Sequence, residues 1–243
     1  MIHYKIIKIN AIDSSNNEIK RLYQKKLHSN GLVVWAKKQT DGRGQGNKKW
    51  LSYPNKNLTF SIFLSGDNLT FSSHFCLNLI TSLSVKKVLV SNGINSIFIK
   101  WPNDILSVNK KISGILIENL FRGEKLMGSI VGVGINVNQI TFPNNLNASS
   151  MKMIMRRAFS LKKVFHAFLK IFSDNLLHYS DFELLKSDFN KSLFRKNEFV
   201  EYEINGNTKT GKILGLYDYE RFQILNLNGV KETPKIRDVK IFY

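Results

Sequence analysis

Lys100-Trp101-Pro102-Asn103-Asp104 puts a cation, an indole and two polar groups at the exit of the apolar run Ile97-Phe98-Ile99. An ammonium beside an indole is partly shielded from water, and shielding strengthens its pull on an anion. Pro102 restricts Trp101 and forces a turn; an ordinary strand-to-turn boundary is the plain alternative. Gly42-Arg43-Gly44-Gln45-Gly46-Asn47 supplies a backbone that a ligand can approach closely, with Arg43 able to grip phosphate oxygens through its planar fork. It lacks the Gly-Lys-Ser/Thr ending of a P-loop, so a polar surface loop stays open as an alternative. In Lys111-Ile112-Ser113-Gly114-Ile115-Leu116-Ile117-Glu118 and Gly132-Val133-Gly134-Ile135-Asn136-Val137-Asn138, glycines interrupt apolar runs beside Lys111, Glu118 and Asn136. Glycine inside a strand marks a bulge or a close approach, by a ligand or by a crossing helix. Ser14-Ser15-Asn16 precedes a helical pattern, where hydroxyl and amide groups either cap the helix or hold a neutral polar ligand. Gln39 is a lone polar residue after an apolar run, a surface residue by default. The chemistry these groups suit is binding and charge neutralisation. His3, His28, His74, His166 and His178 show no paired metal spacing, and Cys76 falls on an apolar helical face, which suits the core better than a nucleophile.

These residues need elements to position them. Weak alternation over 5–9 and the apolar runs at 32–36, 58–64, 96–100, 112–119 and 129–138 predict strands. Ile19, Leu22, Tyr23 and Leu27 share a helical face, with Ser15 and Glu18 spaced as a capping box and Gly31 as the stop. Phe71 to Val90, 161–177 and 181–193 read as further helices, the second strongly amphipathic, and 139–157 reads as irregular. After residue 195 come short strands at 198–204, 208–216, 222–227 and 240–243, with turns at Asn205-Gly206-Asn207 and Asn228-Gly229, the texture of a small barrel. The division expected is 1–192 and 193–243.

Composition narrows the class. The chain has 243 residues, 43% hydrophobic and 12% aromatic, enough for a core, which excludes a wholly disordered chain. A single cysteine excludes an internal disulfide framework and suits a reducing compartment. No apolar run reaches the ~18–20 residues of a membrane span, and MIHYKIIKIN has no signal-peptide core, so a cytoplasmic protein without membrane partners is expected. Lys plus Arg outnumber Asp plus Glu by 36 to 18, a net charge of +18, but the cations are scattered rather than run together as a tail. A basic nucleic-acid-binding protein is the rival from a different class.

Taken in order, the five segments resemble the biotin–protein ligases, the biotin–[acetyl-CoA-carboxylase] ligase type. The family pattern runs Ser-Thr-Asn, Gln followed by a Gly-Arg-Gly-Arg loop ending in Trp, Lys-Trp-Pro-Asn-Asp, Lys-x-x-Gly-Ile-Leu-x-Glu and Gly-x-Gly-x-Asn. Here these are Ser14 to Asn16, Gln39 with Gly42 to Trp50, Lys100 to Asp104, Lys111 to Glu118, and Gly132 to Asn136. Ser15 replaces the usual Thr and keeps the hydroxyl, whereas Gln45 stands where many members have a second Arg and brings no charge. The resemblance implies an α+β catalytic domain of the class II aminoacyl-tRNA synthetase/biotin synthetase-like kind, with a mixed sheet and flanking helices, followed by a small C-terminal SH3-like β-barrel. It implies ATP, Mg²⁺ and biotin as reactants and a biotin carboxyl carrier domain as acceptor, with the enzyme a monomer or homodimer. Lys100 and Arg43 are then the expected catalytic residues. Ser14, Ser15, Asn16, Gln39, Gly42, Arg43, Gly44, Gln45, Lys100, Trp101 and Gly114 are expected around biotin. Arg43, Trp50, Asn103, Lys111 and Asn136 are expected around ATP, with Asp104 supporting the metal. Gly42 to Lys49 is expected to be disordered until ligand binds. The pattern starts at Ser14, so no preceding helix-turn-helix and no sequence-specific DNA binding are expected. A lipoate–protein ligase is the nearest alternative.

Overall fold

Residues 2–46, 48–69 and 74–242 are described in the computed structural model. Asn47 of the glycine loop and Phe71, the expected first residue of a helix, lie outside them. The elements are β1 (Lys5–Ile9), α1 (Ser15–Gln24), β2 (Leu32–Ala36), β3 (Leu58–Ser65), α2 (His74–Ser91), β4 (Ile97–Lys100), β5 (Asp104–Ser107), β6 (Lys110–Arg122), β7 (Lys125–Ile135), α3 (Met151–Met155), α4 (Leu161–His178), α5 (Phe182–Ser192), β8 (Phe199–Ile204), β9 (Asn207–Leu216), β10 (Phe222–Asn226), β11 (Lys231–Glu232) and β12 (Val239–Ile241). None of the described helices is long and apolar enough to cross a membrane.

Seven strands pair in the order β1-β2-β3-β7-β6-β5-β4; β1 and β2 run parallel and every other pair is antiparallel, so the sheet is mixed. All five residues of β2 are buried, as expected of a strand covered on both faces. In β3 the alternation Thr59, Phe60, Ser61, Ile62 sends aromatic and aliphatic groups to one face and hydroxyls to the other.

Phe60, Ile62, Val131, Val133, Ile135, Ile115 and Ile99 join the main apolar core with α2, α4 and α5. Phe165 of α4 packs on Trp35 and Phe60 with ring centroids 4.5 and 5.1 Å apart, and Phe168 lies 5.1 Å from Phe60. Each such buried ring contributes roughly 2–3 kcal/mol through lost water contact. The opposite face is covered only in part, where Ile19 of α1 packs with Leu32, Val34, Phe63 and Ile130.

Several boundaries differ from the sequence reading. α1 stops at Gln24 because Lys26 adopts a positive φ of 58°, which leaves Leu27 exposed. β5 was not expected; it is a four-residue strand whose apolar content is only Ile105 and Leu106. The region 139–157 contains α3, capped by the Ser150 side chain, which accepts from the Met153 backbone N–H at 3.2 Å.

The C-terminal strands form a second, antiparallel sheet in the order β11-β10-β9-β8-β12. Among the described residues β11 and β12 do not pair, so this sheet is open rather than a closed barrel. Its inner residues Tyr202, Ile213, Phe222 and Ile224 belong to the same apolar core as α2 and α4. Asn190 of α5 accepts from the Leu216 backbone N–H at 2.8 Å and donates to its carbonyl at 3.3 Å. The secondary structure thus changes near residue 193 while the core continues across it.

Candidate active site

Cross-strand partners point to the same face of a sheet. The register therefore sets Ala36, Thr59, Gly134, Gly114, Asp104 and Lys100 in one row across six strands. The neighbouring row holds Val34, Ser61, Gly132 and Leu116, and the next ends at Glu118 beside Ile130. Between β5 and β6 the register shifts by one, so that Ile112 has no partner on β5. This bulge turns Ile112 into the apolar core and Lys111 to the side of Gly114, whose position a Cβ would place 3.3 Å from Lys111 Cε.

The rows floor a cavity of about 650 Å³. The indole of Trp50 lies directly on the paired glycines: a Cβ at Gly134 would meet it at 2.4 Å and one at Gly114 at 3.2 Å. Among the described residues Trp50 Nε1 is buried without a hydrogen-bond partner. Lys111 Nζ stands 5.7 Å from the Trp50 ring centroid and pairs with Asp104 at 2.5 Å. Asn103 Nδ2 donates to the Ile115 carbonyl at 2.7 Å, pinning the β4–β5 turn onto β6. Arg43, Lys48, Lys49, Lys100 and Lys111 line the cavity against Asp104 as its one carboxylate among the described residues. Such a wall favours a ligand carrying several negative charges.

The other end of the cavity is neutral and polar. Gln39 Oε1 accepts from the Ser15 backbone N–H at 2.8 Å and the Ser15 hydroxyl at 3.0 Å. The Ser61 hydroxyl, fully buried, reaches both Ser15 Oγ and Asn16 Oδ1, and its one proton serves one of them at a time. Asn16 Nδ2 donates to Glu118 Oε2 at 2.9 Å. The expected capping box is absent: the N-cap is Ser14, whose side chain makes no capping bond, and Glu18 instead pairs with Arg21 at 2.7 Å. Ser15 is committed to Gln39, which leaves the start of α1, with its partial positive charge, directed at the cavity.

The described residues of 42–46 and 48–50 turn back on one another over this end, a hairpin in which Gly44 N–H donates to the Lys48 carbonyl at 2.7 Å and Trp50 N–H to the Gly42 carbonyl at 2.8 Å. Arg43 Nη1 reaches Asn17 Oδ1 at 3.0 Å and Glu118 Oε1 at 2.9 Å. Burial alone raises the Glu118 pKa, but bonds from Lys20 and Asn16 and the charges of Lys20 and Arg43 outweigh it and hold the carboxyl below its ordinary value of 4.5.

Of the residues expected around biotin, ATP or the metal, Ser14, Ser15, Asn16, Gln39, Arg43, Gly44, Gln45, Trp50, Lys100, Asn103, Asp104, Lys111 and Gly114 all line this one cavity. Three do not. Trp101 is in the core, its ring packed on Phe75 at 5.1 Å and Phe222 at 4.9 Å, because the turn rotates it off the Lys100 face. Gly42 sits behind the wall, where a Cβ would strike the Trp50 carbonyl at 2.4 Å. Asn136 is buried at the end of β7, donating to the Ser149 carbonyl at 3.0 Å, while its Oδ1 has no partner among the described residues. Sequence reasoning missed Thr59 and Ser61, whose signal was polarity at alternate positions of an apolar run, and Leu51, Asn145 and Leu146, which carried none.

Comparison with known proteins adds an independent line. A family model described as the biotin/lipoate A/B protein ligase family matches residues 9–136. The bifunctional ligase/repressor BirA of Bacillus spizizenii is 30% identical over 211 residues, covering 83% of this chain. The chain spans 64% of that relative's length, and 36% of the biotin–protein ligase of Schizosaccharomyces pombe, to which it is 25% identical. The solved biotin protein ligase of Aquifex aeolicus in complex with biotin and ATP superposes with a TM-score of 0.84 at 29% identity, covering 98% of both chains. That of Leishmania major in complex with biotinyl-5-AMP gives a TM-score of 0.68 at 20% identity, a likeness of fold.

Proposed function

Since the chain belongs to the biotin/lipoate A/B protein ligase family, we propose that it activates biotin with ATP to biotinyl-5′-AMP and passes the biotinyl group to a lysine of a biotin carboxyl carrier domain. The observation that carries this reading is the single cavity in which a neutral polar end, at Ser15 and Gln39, adjoins a cationic end, at Lys100, Lys111 and Arg43. The solved relative that binds biotin and ATP together has the same fold over nearly its whole length.

In this reading biotin lies with its polar ring against Ser14, Ser15, Asn16 and Gln39 and its carboxylate toward Lys100. Carboxylate and triphosphate repel each other. Lys100, at the end of the glycine row, touches both the carboxylate and the α-phosphate, and Arg43 and Lys111 take further phosphate oxygens. Holding both anions against fixed cations lowers the barrier through proximity and charge stabilisation. A carboxylate oxygen attacks the α-phosphorus and pyrophosphate leaves. The acceptor amine then attacks the acyl carbon and AMP leaves. The Trp50 indole, on the cavity wall, offers a face to adenine. Gly42, Gly44 and Gln45 belong to the hairpin that keeps water from the reactive anhydride. Magnesium enters with the nucleotide. Asp104, the one carboxylate on the wall among the described residues, would help to hold it, as suits an ion that takes one or two carboxylates beside the phosphates. Trp101 supports Lys100 from the core side. The C-terminal sheet we read as an SH3-like module beginning at residue 193, and the site as cytoplasmic.

Incubation of a carrier domain with enzyme, biotin, ATP and Mg²⁺, read by mass spectrometry, tests the reading. A gain of one biotinyl group, lost with Lys100→Ala, is expected. Transfer of lipoate but not biotin in the same assay overturns it.

A further inference from the structure

We infer that Glu118 is a positioning residue that aims Arg43 and through it holds down the hairpin that carries Arg43, and that Lys20 competes with Arg43 for it. Glu118 is on β6, one row beyond the cavity floor, with its side chain 17% exposed. Its Oε1 takes Lys20 Nζ at 2.8 Å and Arg43 Nη1 at 2.9 Å; its Oε2 takes Asn16 Nδ2 at 2.9 Å and Arg43 Nη1 at 3.2 Å. One carboxylate therefore joins three elements: the first turns of α1, through Asn16 and Lys20; the sheet; and the hairpin, through Arg43.

The geometry of Arg43 gives the arrangement its purpose. Among the described residues only Nη1 of the guanidinium is engaged, by Glu118 and Asn17. The Nε–Nη2 edge, the edge that grips an anion with two parallel bonds, is left for a ligand. Held at one corner, the guanidinium is aimed before the anion arrives, which removes part of the ordering cost of binding. The carboxylate is itself fixed. Asn16 lies so close over Gly132 that a Cβ there would meet its Oδ1 at 2.3 Å, and that same oxygen accepts from Ser61. Lys20 shares Oε1 with Arg43, so it weakens the hold on the hairpin and keeps it releasable. This inference extends the ligase reading, but its main test does not depend on that reading.

The test is limited trypsin digestion of the full chain without ligands, following cleavage after Arg43, Lys48 and Lys49. Glu118→Gln keeps an acceptor for Asn16 but loses the charge. Cleavage at the hairpin is expected to rise about tenfold, the worth of one charge-assisted hydrogen bond. Lys20→Met leaves Arg43 as the one cation on Glu118 among the described residues, and cleavage is expected to fall. The opposite signs separate a latch from general loosening, which quickens cleavage in both variants. Equal rates in Glu118→Gln and the unaltered chain, or faster cleavage in Lys20→Met, overturn the inference. If Glu118→Gln lowers the melting temperature strongly, the Lys20→Met arm decides. In a second arm, release of biotinyl-AMP from the enzyme is expected to quicken in Glu118→Gln and slow in Lys20→Met. Opposite shifts in trypsin cleavage with no adenylate formed by any variant would refute the ligase reading and leave the latch standing.

Discussion

The two faces of strands β3, β6 and β7 are built from the same segments and have opposite characters. Toward α2 and α4 they present Phe60, Ile62, Ile115, Val131 and Val133, closed over by aromatic rings. Toward the cavity they present Thr59, Ser61, Gly114, Gly132 and Gly134, small residues interrupted by Leu116 at the end of one row. The first face supplies stability. The second gives it up, since glycine in a strand buries no side chain and costs entropy. One sheet thus divides folding from binding by residue parity.

Four substitutions test that division, from the largest effect to the smallest. Phe60→Ala on the closed face should cost about 3–5 kcal/mol, a fall in melting temperature of roughly 10 °C or more by calorimetry, with substrate affinity altered only as far as the fold loosens. Lys100→Ala on the open face should do the reverse, cutting biotinyl transfer about hundredfold or more while the melting curve stays within a degree or two. Gly134→Ala puts a methyl group where the Trp50 indole lies; isothermal titration should show ATP binding weakened about tenfold or more, with biotin less affected. Ser61→Ala removes the donor shared by Ser15 and Asn16 and should weaken biotin about tenfold, with about 1 kcal/mol lost in stability. If Phe60→Ala and Lys100→Ala affect stability and transfer alike, the faces are not separate in function.

Acid provides a milder probe of the open face. The Glu118 carboxyl has a folded-state pKa below its ordinary 4.5, so its contribution is full above that value and disappears as pH falls through the lowered one. Hairpin protection, followed with an acid-active protease, should persist below pH 4.5 and then fail, and Glu118→Gln should abolish this step.

Most of this was legible in the sequence, for physical reasons that also mark its limits. β2 and α4 were read closely because their apolar periods are strong. The motif residues could be gathered because their order along the chain resembles the ligase pattern; the register then sets Lys100, Gly114 and Gly134 at one level of the sheet, with β5 between the first two. What escaped depended on tertiary competition. The serine–glutamate spacing at Ser15 and Glu18 looked like a cap, but Gln39 and Arg21 are the stronger partners in the folded chain. Trp101 looked like a pocket wall, and the direction of its side chain is set by a turn whose rotation no period encodes. β5 escaped because four residues are too few for a period, and Leu51 and Leu146 because a loop residue carries no mark of what it will face.

Ile112, without a partner on β5, has a bearing beyond this chain. In a plain strand, residues three apart point to opposite sides, so Lys-x-x-Gly could not present both its lysine and its glycine to one ligand. The spacing is usable only because one residue between them drops out of the ladder. Deleting Ile112, rather than replacing it, should therefore swing the ammonium of Lys111 into the hydrocarbon interior, and the three-residue interval in the primary structure is itself a statement that the strand is irregular there.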